Sequence, residues 1–146
     1  MMMGVAVYPV LSASRIVEPF SELGILGPNM KLGDYSREVR IGERMDLYLY
    51  VGNHEGTVQY YRVLVKLGDQ SMNVSDTDPL DAPVLASYEM ILLNESNSTT
   101  PITLSVNKPG LNQRLVFELH RLDTASQVFV YHQRWNQLWL NVTAPG

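Results

Sequence analysis

A chain of 146 residues fits one domain, and at this size folding buries roughly two-thirds of the surface the unfolded chain exposes, so a sizeable core is available. Its formal charge of -4, set in ordinary proportions of 45% apolar and 18% charged residues, gives no electrostatic footprint for nucleic acid or anionic lipid. With no cysteine, disulfides, thiol nucleophiles and cysteine-ligated metals are excluded.

Residues 1–17 form an apolar leader, "MMMGVAVYPVLSA" running on to Arg15. It is too short for a bilayer span, which takes about 20 apolar residues, and Pro9 interrupts it. It also lacks the basic start of a secretory signal. Three readings stand: the stub of a membrane anchor whose main part is absent from this chain, an edge strand, or a strand exchanged with a neighbouring copy in a homo-oligomer.

Residues 18–146 are expected to form one immunoglobulin-like Greek-key β-sandwich of about seven strands. Period-2 patterning runs through them, and no stretch sustains an apolar helical repeat with caps. "PFSELGILG" and "REVRIG" open the series. In "RMDLYLYVGN" Met45, Leu47, Leu49 and Val51 share a face. "NHEG" then reverses the chain, and "TVQYYRVLVKLG" sends Tyr61, Val63, Val65 and Leu67 inward, so the two runs are predicted to pair as a hairpin turned at Gly56. "VLASYEMILL", "TPITLSV" and "QRLVFELHRL" follow, the last two separated by the turn "NKPG". The run from Val128 to Val142 is too long to stay regular, and "HQRWNQ" is expected to hold a bulge or bend. Leu47, Leu49, Val63, Val65, Leu104, Leu115 and Phe117 are the expected core.

Little in this pattern speaks of catalysis. "SDTDPLD" spaces Asp76, Asp78 and Asp81 as oxygen donors but lacks the glycine and closing glutamate of a calcium loop, and reads as a solvated turn. His54 and Glu55 could give two metal ligands, yet His120 and His132 fall on other strands and no HExxH spacing exists. There is no GxSxG, and nothing pairs a serine with a histidine and an acid. Carboxylates such as Glu89 and Glu118 could meet across strands, but a sandwich with 15 acids offers many such pairs. The chain is therefore expected to be noncatalytic and to carry no cofactor or metal.

Two other features point to recognition. Four N-x-[ST] acceptors, at Asn73, Asn94, Asn97 and Asn141, occur among nine asparagines, where composition alone gives roughly one. They suggest an outward face exposed to a glycosylation machinery. In "RWNQLWLNVT" a regular strand sets Trp135, Gln137, Trp139 and Asn141 on one face, a platform suited to a sugar or a protein partner, whereas a bulge would return one indole to the core.

Taken in order, "FSELGILGPNMKLGDY", "VRIGE", "LYVGNHEG", "YYRVLVKL" and "PGLNQRLVFELHR" resemble the extracytoplasmic part of an archaeal membrane-protein family, domain of unknown function 1616. The resemblance covers roughly residues 18 to 122, with "LGPN" and "GNHEG" as its most specific motifs. It implies membrane helices preceding a soluble β-rich domain, "GVAVYPVLSA" as the stub of the last helix, and outward-facing acceptors. It implies no catalytic residue. The expectation is a noncatalytic, extracytoplasmic module of a membrane-anchored cell-surface protein, serving structure or partner recognition. A carbohydrate-binding module or a strand-exchanging oligomer subunit is the alternative.

Overall fold

The computed structural model describes residues 18–27 and 36–144. The leader, and Pro28 and Asn29 of "LGPN", lie outside the described residues. Eight strands follow in order: β1 (Phe20–Leu26), β2 (Ser36–Arg40), β3 (Met45–His54), β4 (Gln59–Asp69), β5 (Val84–Leu92), β6 (Asn97–Leu104), β7 (Gly110–Asp123) and β8 (Val128–Thr143). They build two layers, a three-stranded sheet ordered β1-β3-β6 and a five-stranded sheet ordered β2-β8-β7-β4-β5. Pairing is antiparallel except between β2 and β8, where Ser36 to Arg40 run parallel to Trp139 to Thr143. The expected immunoglobulin-like all-β sandwich is the observed fold, with one strand more than the seven anticipated.

The alternation of each strand explains the layering, because successive side chains point to opposite faces and one apolar face per sheet must be covered. Met45, Leu47, Leu49 and Val51 of β3 face Tyr61, Val63 and Val65 of β4 and Leu115, Phe117 and Leu119 of β7, all within 1% of complete burial. Ile102 and Leu104 from β6 and Leu138, Leu140 and Val142 from β8 close this core. Each of the seven expected core residues lies in it.

One pairing differs from expectation. β3 and β4 are not a hairpin: β3 bonds to β1 and β6 in one sheet, β4 to β5 and β7 in the other. The "NHEG" turn therefore carries the chain between layers, with Gly56 at φ +90° supplying the backbone angle. Turn chemistry and alternation are the same for a hairpin and for such a crossing, so the sequence pattern did not separate them.

β8 is irregular where "HQR" stands. Leu119 pairs with Arg134 but His120 with Tyr131, leaving His132 and Gln133 as extra residues, with Gln133 at φ +62°. The bulge precedes both tryptophans, so alternation is regular from Arg134 onward and neither indole turns into the core.

A further layer comes from the β4–β5 loop, which lies on the outer face of the five-stranded sheet and buries Leu80 to 1% exposure. β7 is consequently buried on both faces from Gln113 to His120. Leu115→Ala or Phe117→Ala should cost about 2 to 5 kcal/mol in urea unfolding, because each leaves a cavity at the centre of the sandwich; a loss below about 1 kcal/mol would contradict this packing.

Candidate functional site

The "GNHEG" segment forms the most elaborate polar arrangement of the molecule, at the end of the sandwich where β3 crosses to β4. Asn53 is fully buried and uses every hydrogen-bonding group it has. Its amide N donates to Ser96 O (2.9 Å), its carbonyl accepts from Glu95 N (2.8 Å), and its side-chain Oδ1 accepts from Glu55 N (2.9 Å). Its Nδ2 donates to Thr57 O (2.9 Å) and Leu92 O (2.8 Å). One side chain thus ties the β3–β4 crossing to the β5–β6 crossing.

His54 and Glu55 point to different partners. His54 lies between two carboxylates, with Nε2 2.9 Å from Glu22 and Nδ1 2.9 Å from Glu95, and stacks on Phe20 at 4.6 Å. Hydrogen bonds to Glu22 and then Glu95 raise its pKa above the ordinary 6.5. Gly52 makes the contact with Glu22 available, since a Cβ built there would stand 2.5 Å from Glu22 Oε1. Glu55 turns inward instead. Its Oε2 accepts from Ser21 Oγ and His132 Nε2, both at 2.6 Å, and Arg121 lies 3.5 Å from Oε1. Tyr61 meets Ser21 Oγ at 2.6 Å. Burial works to raise the Glu55 carboxyl, but the bonds from Ser21 and His132 and the charge of Arg121 outweigh it and leave it lowered. Burial lowers His132, which favours the neutral ring donating through Nε2. The Ser21 hydroxyl and the imidazole both donate to one Glu55 carboxylate oxygen, so the histidine is not placed to take the serine proton.

A second polar cluster pins the β4–β5 loop. Fully buried Glu118 accepts from Leu80 N (2.6 Å) and pairs with Lys66 (2.9 Å) and His120 (3.1 Å), while Lys66 also donates to Leu80 O (2.8 Å). Burial acts to raise Glu118, and the bonds from His120, Lys66 and Leu80 reverse it to a lowered value. Glu89 and Glu118, discounted as a pair on sequence grounds, do not meet: Glu89 on β5 bonds to Arg62 and Tyr60, and β4 separates it from β7.

The aspartate loop is a turn. Asp78 O accepts from Ser75 N and Asp78 N donates to Ser75 Oγ, while Asp76, Asp78 and Asp81 are exposed. Among the described residues no group of three His, Asp or Glu side chains converges as a metal site.

Trp135, Gln137 and Trp139 share the outer face of β8, opposite Glu118, Val116 and Arg114. All three are half-buried. Arg114 occupies the middle of this strip, donating to Gln137 Oε1 (2.8 Å) and Met72 O and lying 5.4 Å from the Trp139 ring. The tryptophans therefore form part of the sheet's outer packing, with one flank open. Of the acceptor asparagines, Asn73, Asn94 and Asn97 are exposed and Asn141 is half-buried.

Sequence reasoning passed over Asn53, Ser21, Arg114, Lys66 and the inward turn of His132. Only the "GNHEG" string, singled out by the family resemblance, carried a signal.

Two expectations follow. Asn53→Ala should lose at least about 2 kcal/mol of stability in urea, since it leaves buried Leu92 O and part-buried Glu55 N and Thr57 O without their partner; a smaller loss would remove Asn53 as the tie between crossings. His54→Gln should be less stable than wild type below about pH 6.5, with the gap closing as pH rises through the raised folded-state value of His54. A gap that widens toward alkaline pH in parallel melts would refute the imidazolium bridge.

No curated protein matches the chain. Among solved structures, the CARDB domain of the PF1109 protein from Pyrococcus furiosus, a crystal structure in complex with di-metal ions, is similar over 90% of this chain and 100% of its own, at 12% identity and a TM-score of 0.51. The solution structure of that domain is similar over 88% and 98%, at 11% identity and a TM-score of 0.53. At such identities the likeness shows the fold alone. The family model described as domain of unknown function DUF1616 matches residues 15–142, which include both polar clusters and the whole sandwich from β1 almost to its last strand residue, and the chain belongs to that family.

Proposed function

We propose that this chain is a noncatalytic extracytoplasmic module of a membrane-anchored cell-surface protein, serving structure or partner recognition. The observation that supports it is the accessibility of the acceptor asparagines. A glycan is attached through the side-chain nitrogen. Asn94 and Asn141 each engage only Oδ1, accepting from Gly56 N and Asn112 N at 2.9 Å, and among the described residues Nδ2 of neither makes a hydrogen bond. Asn73 and Asn97 are exposed, so all four amides can be reached without opening the core.

The noncatalytic reading is supported by how the polar clusters are used. Ser21, Glu55, His132 and Arg121 satisfy one another, as do Lys66, Glu118 and His120, so neither of these two clusters sets a nucleophile beside an unengaged base.

Native material should stay with membranes on high-salt washing and be released by detergent, because a hydrophobic anchor is not screened by salt. Glycopeptide mass spectrometry of that material should find sugar on at least one of Asn73, Asn94, Asn97 and Asn141. A soluble chain starting at Met1 with all four asparagines bare would overturn this reading.

A further inference from the structure

We infer that β5 is a self-complementary edge, at which two copies of this chain pair antiparallel about Tyr88 and join their five-stranded sheets into one continuous sheet. The inference rests on described residues only and is independent of the localisation proposed above. A two-sheet sandwich has four open edges, and an open edge invites pairing with another chain unless something blocks it. In this molecule three of the four are blocked. On β1 the carbonyls of Ser21 and Leu23 accept from Arg134 Nε (3.0 Å) and Asn136 Nδ2 (2.7 Å), side chains that reach across from β8. β2 is only five residues long and carries Arg37, Glu38 and Arg40. β6 contains Pro101, which has no N–H to offer.

β5 differs from all three. It runs nine residues, "VLASYEMIL", without proline or glycine, and its one charge, Glu89, is already held by Arg62 Nη2 at 2.7 Å and by the Tyr60 hydroxyl at 2.5 Å. Large apolar side chains stand exposed along it, Val84 at 52%, Leu85 at 39% and Ile91 at 65%, with Leu93 just beyond at 67%. Ile91 also borders an open groove of about 390 Å³ lined by Val58, Tyr60, Leu122 and Val130.

Symmetry and charge select the register. A two-fold axis normal to the sheet keeps each side chain on its own face, so opposed residues must share parity. Centring on Glu89 sets two carboxylates directly against each other, which is destabilising. Centring on Met90 opposes each Glu89 to Ile91 of the second copy. Centring on Tyr88 opposes Glu89 to Ser87 and Ile91 to Leu85, which brings the exposed apolar side chains together at the groove. The bulge at Leu85, left between the Val65–Ala86 and Lys66–Val84 pairs, then falls at each end of the new ladder and stops it there.

Light scattering from micromolar to millimolar concentration should show twice the mass of one chain. The Leu85→Lys, Ile91→Lys double variant should scatter as a monomer with an unchanged circular dichroism spectrum, since both side chains are exposed. The chain has no cysteine, so two single variants report the register: oxidation of a mixture of Ser87→Cys and Glu89→Cys chains should yield a covalent heterodimer, because directly opposed strand residues stand close enough for a disulfide, and neither variant alone should cross-link. A wild type that stays monomeric at every concentration overturns the inference. So does a dimer that survives the lysine pair, or one that forms no covalent link through the cysteines.

Discussion

The structure depends on how Asn53 resolves the problem of carrying the chain between two sheets. A strand that leaves one layer for the other gives up its ladder partners at a place the core is closing, and buried backbone groups without partners are costly. Asn53 answers with five hydrogen bonds that reach two crossings at once, from β3 to β4 and from β5 to β6. Around it the sequence is spent on the same task. Gly52 leaves room for Glu22, Gly56 takes the positive φ, His54 links β1 to the neighbouring turn, and Glu55 draws β8 and β7 toward β1. The motif's specificity follows from geometry, since each of its residues has a different partner.

The opposite problem arises on the outer face of the five-stranded sheet. Laying the β4–β5 loop there buries Glu118 and Lys66, which costs desolvation that only close pairing offsets. Both keep a second bond to Leu80, so the charged pair and the loop backbone complete each other's hydrogen bonding. Removing either charge would leave the other buried alone, and the loop would lose its seat. Tyr131, pushed up to about 12 by burial and by Glu118, Asp76 and Asp78, stays protonated and donates to Ser75 O, a third attachment of the same loop.

Likeness to the CARDB domain at 12% identity is intelligible in these terms. A sandwich asks only for alternating apolar faces, crossings and managed edges, and many residue choices meet those demands. Shared architecture therefore says nothing of whether ligands are shared, and the surfaces proposed to bear on function are the four N-x-[ST] asparagines and the β5 edge.

The sequence by itself determined the class of fold, the core and the absence of thiol chemistry. Period-2 alternation in "MDLYLYV", "YRVLVKL" and "RLVFEL" is a local property, and the inward residues it marks are those found buried. It also marked the bulge in "HQRWNQ", because sixteen residues exceed what a twisted strand keeps regular. What only the tertiary structure decided is which strands are neighbours and which outward residues are covered. "NHEG" reads alike as a hairpin or as a crossing, and the choice is made by β6 and β1 competing for β3. Glu118, Lys66 and Arg114 alternate with inward apolar residues, and are buried because a distant loop folds over them. The bulge could have returned an indole to the core, but its place before Trp135, where His132 turns to meet Glu55, kept both tryptophans outside. Each of these outcomes is a contact between residues far apart in the chain, and no local pattern encodes it.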